Sequence, residues 1–214
     1  MTPFRRRRIL LRVGIAAPVL ALITTLVAVL LFPGFNHATQ FLSELGGAGA
    51  KEPEVFNIGV VLAGVGAGLA GIGFGLAIVA LGGPRLPAAL TAAAFVLAAI
   101  GLVMASLYPW PDPRHLAINL GLGIQMAPLF LLWGLARAEG VSRLRWFLVI
   151  VFAAMAVLTV ITKHLVFPGT VNPHNVGWWE RAFAIVLVGW TGVAAFLLER
   201  RLVALALAMR AAAG

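Results

Sequence analysis

The sequence predicts an all-α fold: a polytopic integral membrane six-helix bundle with both termini cytoplasmic. The 214-residue chain is 62% hydrophobic and only 11% charged, with a mean hydropathy of +1.02, whereas a soluble domain is about half apolar and about a quarter charged. Its apolar residues form six runs of membrane-spanning length. Its basic residues concentrate on one side of those runs, which orients the bundle.

Each apolar run is close to the roughly 20 residues that a helix needs to cross a bilayer core. Polar connections, or connections rich in Pro and Gly such as "GGPRLP" and "PWPDPR", separate the runs, and such sequences interrupt helices. The predicted spans are residues 9–32, 55–81, 86–108, 115–136, 144–166 and 178–198.

The second run is rich in glycine and reads "GVVLAGVGAGLAGIGFGLA". Gly66, Gly68 and Gly71 satisfy the dinucleotide-binding pattern GxGxxG, but no strand precedes them, so we reject that interpretation. Gly64 with Gly68, and Gly71 with Gly75, satisfy the GxxxG pattern that lets membrane helices pack closely. The glycines therefore predict a central second helix inside the bundle.

The segments outside the runs complete the domain organisation. Residues 1–8 are a basic cytoplasmic N-terminus, and residues 9–198 form the bundle. The first run is too long for a typical signal peptide and is predicted to be a membrane anchor. Residues 199–214 have too few apolar side chains for a seventh span, so we expect a cytoplasmic amphipathic tail on the membrane surface.

Charge orients the predicted bundle, because cytoplasmic connections carry an excess of Lys and Arg. The outer side then holds only Lys51, Arg114, Lys163 and Arg181. The net charge of +9 does not indicate a nucleic-acid partner, since the basic residues are scattered between apolar runs. We expect the basic inner rim to meet the lipid bilayer at anionic headgroups. That rim contains Arg5, Arg6, Arg7, Arg8, Arg12, Arg85, Arg137, Arg143, Arg145, Arg200, Arg201 and Arg210.

The outer side collects most of the other polar side chains. Ionisable groups within a span are costly and usually face a partner or a cavity, so Arg181 and Lys163 are each expected to find a carboxylate, with Glu44 and Glu180 as candidates. The histidines and acids placed outside are His37, His115, His164, His174, Glu44, Glu52, Glu54, Asp112 and Glu180, accompanied by Asn57 and Asn119.

These residues leave three kinds of function open. The first is a structural, accessory or binding subunit with a protein partner or a homo-oligomeric state, in which the outer polar groups hold loops and helices in register. The second is an enzyme acting on a lipid or headgroup at the outer leaflet. The third is a small-solute transporter, which would need a polar path past Gln125.

The enzyme hypothesis assigns roles to particular side chains. His115 would be the acid–base, Glu44 its carboxylate partner and Ser43 a nucleophile. Arg181 would hold an anionic group, and the remaining candidates for ligand binding are Glu180, Asn57 and Asn119. The absence of Cys and of tight His spacing argues against a metal site, and the residues indicate no particular cofactor.

Four motifs in order along the chain resemble a known family. They are "SELGG" after the first span, Asn57 at the start of the second, "YPWPDPRH" before the fourth and "GWWERAFAIVLVGW" opening the sixth. Together they resemble the domain of unknown function 998 (DUF998) family, small six-helix membrane proteins of bacteria and archaea. The resemblance implies a prokaryotic cytoplasmic membrane location and an architecture but no reaction. The matched positions are Ser43, Glu44, Gly46, Asn57, His115 and Arg181.

Overall fold

Six helices long and apolar enough to cross a membrane make up most of the chain, which confirms the predicted all-α six-span architecture. The computed structural model describes residues 2–109, 112–163, 166 and 168–212. The chain is a multi-pass membrane protein. The six spans are α1 (Pro3–Leu30), α2 (Pro53–Ala80), α3 (Arg85–Leu107), a fourth span (Pro113–Gly134), α5 (Ser142–Thr162) and α6 (Val176–Ala211).

Consecutive spans run antiparallel, as the contacts between the first two show: Gly59 of α2 meets Thr24 of α1, and Gly73 of α2 meets Leu10 of α1. An even number of spans places both termini at one end of the bundle, together with the connection from α2 to α3 and the connection from the fourth span to α5. We call this the basic end, since most arginines lie there, and the opposite end the loop end. That the basic end faces the cytoplasm stays a prediction.

The central position predicted for α2 is confirmed. In the most apolar 18-residue stretch of α2, 61% of the residues are buried. In the corresponding stretches of the other five spans the buried share is 17% to 39%. Its glycines form the contacts: a Cβ on Gly66 would lie 2.8 Å from Cβ of Ala17 in α1, and a Cβ on Gly75 would lie 2.8 Å from the carbonyl oxygen of Ala88 in α3. Neighbouring helices therefore touch α2 at backbone distance, as GxxxG patterns allow.

Aromatic rings fill the core where α2, α3 and α6 meet. Phe74 lies 5.2 Å from Phe95 and 6.2 Å from Trp190 between ring centroids, and Phe95 lies 5.7 Å from Trp190. All three side chains are buried. Elsewhere between the helices, Thr159 donates a hydrogen bond to Gln125 Oε1 at 2.9 Å, which joins α5 to the fourth span.

The fourth span departs from the predicted continuous α-helix over residues 115–136. It begins as a 3₁₀-helix, Pro113–Met126, and continues as α4, Ala127–Gly134. The change of helix type places Pro128 in the first turn of α4, where its missing N–H leaves no hydrogen bond unmade. At about 2.0 Å per residue the 3₁₀ segment covers roughly 28 Å, so the fourth span still has the length to cross a bilayer core.

The segment predicted to be a helical extension at the C-terminus continues α6. The 36 residues of α6 extend about 54 Å at 1.5 Å per residue, well beyond a bilayer core of about 30 Å. At the basic end, Glu199 of α6 accepts hydrogen bonds from Nε of Arg8 at 2.8 Å and Nε of Arg12 at 3.3 Å. This ion pair joins α1 to α6, and Glu199 is only 12% exposed.

Candidate functional site

The stretch "QFLSELGG" at the loop end folds into a short 3₁₀-helix, Leu42–Gly46, that Glu44 caps. Glu44 Oε1 accepts a hydrogen bond from the backbone N–H of Phe41 at 2.7 Å, and Oε2 accepts one from Nε2 of Gln40 at 2.9 Å. A carboxylate near a helix N-terminus satisfies an N–H group that has no partner within the helix. Both oxygens of Glu44 are therefore bonded within its own loop.

Asn57 in the first turns of α2 holds the end of this 3₁₀-helix. Its Nδ2 donates to the carbonyl oxygen of Gly46 at 3.0 Å. A Cβ on Gly46 would collide with Asn57 Oδ1 and would lie 3.0 Å from Cδ1 of Phe56. Leu45 beside it is 1% exposed. Glycine at position 46 thus allows the loop to lie directly against α2.

The first turns of α6 hold the other side of the loop. Arg181 Nη1 donates to the carbonyl oxygens of Gln40 at 3.0 Å and Gly177 at 2.6 Å. Glu180 Oε2 accepts from the backbone N–H of Leu42 at 2.6 Å. We call the five side chains that fix this loop the loop clasp: Gln40, Glu44, Asn57, Glu180 and Arg181.

The expectation that Arg181 pairs with a carboxylate is wrong. Among the described residues it forms an ion pair with neither Glu44 nor Glu180, although both negative charges act on it at longer range. The two carboxylates accept from backbone N–H groups instead, and the guanidinium donates to carbonyl oxygens. Its remaining side faces the Phe35 ring at 5.2 Å, and Nη2 is buried with no hydrogen-bond partner. Lys163, the other cation expected to find a carboxylate, directly follows α5, is exposed and pairs with no described carboxylate.

Aromatic side chains add a second set of contacts between the loop and α6. His37 stacks on Trp178 with ring centroids 5.8 Å apart, and Phe35 meets His37 edge-on at 5.4 Å. Gly177 lies beneath, and its N–H donates to the carbonyl oxygen of Ala38 at 2.8 Å. The sequence offered no periodicity that would relate His37 to Trp178, although His37 is an exposed residue.

His115 belongs to a separate group of contacts where α3 ends. Its Nδ1 lies 3.0 Å from the carbonyl oxygen of Ala105 and 3.1 Å from that of Tyr108, so Nδ1 carries the proton and donates. The guanidinium of Arg114 lies 3.6 Å from the centre of the Tyr108 ring and donates two hydrogen bonds to Asp112, at 3.0 and 2.7 Å, and the backbone N–H of Arg114 donates a third at 2.8 Å. These hydrogen bonds lower the pKa of Asp112 to about 2.

The structure thus divides the predicted site residues. Glu44, Asn57, Glu180 and Arg181 meet in the loop clasp. None of the hydrogen bonds of Glu44 reaches His115, whose Nδ1 is bonded to the end of α3. The other predicted residues lie outside the clasp. Ser43 is half-buried and Asn119 is exposed, and neither side chain forms a hydrogen bond with a described residue. His174 is exposed, and His164 lies outside the described residues.

Comparison with known proteins identifies the family. The profile of a family described as a protein of unknown function, DUF998, matches residues 15–197, which include most of all six spans. The chain belongs to the DUF998 family. No curated protein and no solved structure matches it. The resemblance of the four sequence motifs to DUF998 is therefore confirmed, and two of the matched positions, Gly46 and Asn57, touch each other in the clasp.

Among the residues that the structure describes, no three His, Asp or Glu side chains lie close enough together to hold an ion. The acids of the loop clasp are each bonded to a backbone N–H, as a loop-fixing role requires. The arrangement orders the loop and joins it to α2 and α6.

Asp112 is expected to stay ionised in moderately acidic solution. Its pKa is about 2 in the folded protein and near 4 when unfolded. Because the folded pKa is the lower one, the stabilisation by this carboxylate is complete above about pH 4 and is lost as the pH falls towards 2. Tyr108 is the single tyrosine, so the ring signal of carbon-13 tyrosine should hold steady down to about pH 4 and reach the midpoint of its shift near pH 2. In Asp112→Asn the Tyr108 ring signal at neutral pH should already have the position that it reaches in acid in the unmodified protein. A titration midpoint near pH 4 in the unmodified protein would contradict the hydrogen bonds between Asp112 and Arg114.

Proposed function

We propose that this DUF998 protein is a structural or accessory subunit of the prokaryotic cytoplasmic membrane, with both termini inside and the loop clasp on the outer face. One observation carries the proposal. The clasp residues predicted to be catalytic or ligand-binding are bonded to the backbone of the loop, so they support its shape. A fixed outer loop suits a protein that presents a surface to a partner.

The hydrogen bonding of the clasp argues against the lipid-enzyme alternative. A general acid or base must reach the proton that it transfers, directly or through one water. Both oxygens of Glu44 already accept hydrogen bonds, and Glu180 accepts one from Leu42. Hydrogen bonds to charged groups contribute about 1.5–3 kcal/mol each to stability. The clasp is therefore best suited to holding the loop, which needs those bonds intact.

The exposed aromatic residues of the loop end support a binding role. Trp178 is 56% exposed and Phe41 is 44% exposed, and each adjoins a residue fixed by the clasp or by stacking. Rigid aromatic side chains make strong anchors in protein interfaces, because little conformational entropy is lost when they bind. The partner is a membrane protein or a second copy of this chain.

Purification in mild detergent tests the subunit role. The unmodified chain should be recovered with one partner at fixed stoichiometry, or as a homo-oligomer, in native mass measurements. Gly177→Ala should lose that assembly, because a Cβ there would run into the carbonyl oxygens of His37 and Gln40. The matched control is Gly189→Ala in the same helix, where nothing lies within 4 Å of the added atom. Recovery of a lone, freely exchanging monomer would overturn the proposal.

The orientation has its own test, because the chain contains no Cys and single cysteines can be labelled without background. Lys51→Cys lies in an exposed part of the loop end, and Arg210→Cys is exposed at the end of α6. A membrane-impermeant maleimide should label Lys51→Cys in intact cells and Arg210→Cys only after permeabilisation. The reverse pattern would show that the bundle is inserted the other way.

A further inference from the structure

A shallow groove follows one face of α5 at the basic end. It has a volume of about 350 Å³ and is lined by Ser142, Arg145, Trp146 and Val149. Residues at these spacings lie on one side of a helix. From the start of α5 towards the middle of the bundle, the residues that line the groove are a serine, an arginine, a tryptophan and a valine in turn, and the lining itself is mostly apolar.

That order of chemistry matches a glycerophospholipid lying along the helix. A phosphate interacts with hydroxyl and guanidinium donors, and the indole of tryptophan prefers the level of the headgroup and ester groups. Acyl chains need only an apolar surface. Trp146 is 70% exposed, and Val149 and Ile150 are 44% and 64% exposed. Because α5 spans the membrane, these side chains face lipid.

A backbone hydrogen bond holds Arg145 near the start of α5. Its Nη1 donates to the carbonyl oxygen of Ala136 at 2.7 Å, which fixes the guanidinium beside the α4–α5 connection. Its Nε is buried and has no hydrogen-bond partner, and the same is true of Nε in Arg201, whose guanidinium packs against Gly140. A buried donor without an acceptor is costly and calls for a partner. Glu139, the acid of this connection, is exposed and forms no ion pair with a described residue.

We propose that this groove binds an anionic glycerophospholipid, with the phosphate at Arg145 and Ser142, the ester region beside Trp146 and an acyl chain along Val149. The inference deepens the proposed membrane placement, since it gives the basic end a specific lipid contact. It does not depend on the loop clasp or on a protein partner. The lipid would brace the start of α5 against the α4–α5 connection.

Quenching of tryptophan emission by brominated lipid tests the site in the full-length protein. In phosphatidylcholine bilayers, acyl-brominated phosphatidylglycerol should quench the Trp146 component, defined by comparison with Trp146→Phe, at about a tenth of the mole fraction needed for brominated phosphatidylcholine. Arg145→Gln should abolish that preference. Ser142→Ala should weaken it, and serves as the second variant because Ser142 is exposed and makes no side-chain bond to a described residue.

Two controls separate a specific site from general attraction to the basic end. Arg210→Gln removes an exposed arginine outside the groove and should leave the preference unchanged. Equal quenching by the two brominated lipids, or an equal loss in Arg145→Gln and Arg210→Gln, would overturn the proposal. Inorganic phosphate added in detergent should leave Trp146 emission unchanged; displacement of the lipid by phosphate would show that a soluble anion is the ligand. Failure of the lipid site would leave the results of cysteine labelling and of subunit assembly unchanged, so the two proposals can fail separately.

Discussion

Gly71→Ala is expected to destabilise the folded protein by about 1–3 kcal/mol or more, the usual cost of forcing an extra methyl into a packed core. A Cβ on Gly71 would collide with Cβ of Phe95, and would lie 2.8 Å from Cγ of Phe95 and 3.4 Å from the carbonyl oxygen of Ala92. The backbone of α3 fixes the positions of Cβ of Phe95 and the carbonyl oxygen of Ala92, so no rotamer change moves these two atoms away. Phe95 itself is buried against Phe74 and Trp190, which opposes a shift of the ring.

The measurement is the unfolding midpoint in detergent, followed by tryptophan fluorescence. Gly189→Ala is the matched control, because the new methyl in α6 meets no atom within 4 Å. Alanine favours a helix over glycine by about 1 kcal/mol, so the control is expected to be neutral or stabilising. If Gly71→Ala proved as stable as Gly189→Ala, α2 and α3 would have to separate at little cost, and the glycines would not explain the central position of α2.

The sequence predicted the bundle well because spans and close packing depend on local patterns. Length and hydropathy mark each span, and the small residues of α2 identify the helix that its neighbours approach. The fourth span was predicted less well. Its 3₁₀ segment packs on α3 at Gly101, where a Cβ would lie 2.8 Å from the carbonyl oxygen of Ala117. Such a long-range backbone contact leaves no mark in the hydropathy of residues 113–126.

For the candidate site, the sequence predicted where the residues lie but not which groups they bond. Topology alone placed Glu44, Asn57 and Arg181 at one end of the bundle, and the structure joins them through one loop. The expected charge pairing was wrong because a sequence displays ionisable side chains but not unpaired backbone groups. The N–H groups of Phe41 and Leu42 and the carbonyl oxygen of Gln40 are the partners that the side chains bond.

The ion pair at the basic end was also missed. Arg8 and Arg12 are 191 and 187 residues from Glu199, and only the antiparallel packing of α1 on α6 brings them together. Sequence reasoning had used these arginines to orient the chain and had given Glu199 no partner. A rule based on counts of charge carries no information about which charges meet across two helices.

Gly46→Ala is expected to release the outer loop from α2, at a cost of about 1–3 kcal/mol for a methyl placed against atoms that cannot move freely. The added Cβ would collide with Oδ1 of Asn57 and lie 2.9 Å from its Cγ. Gly49→Ala is the control in the same loop, since the nearest atom to its new methyl is Cζ of Phe32 at 4.0 Å. The unfolding midpoint gives the stability, and protease cleavage of the loop reports its release directly.

A double-mutant cycle shows whether Asn57 is the cause. Asn57→Ala alone should cost about 1 kcal/mol, because the carbonyl oxygen of Gly46 loses its hydrogen bond. Combined with Gly46→Ala it should cost less than the sum of the single changes, since the shortened side chain makes room for the methyl. For residues in contact the coupling is typically about 0.5–3 kcal/mol. Strict additivity would mean that the glycine of "SELGG" provides room for something other than Asn57, and the clasp would then lose its link between the loop and α2.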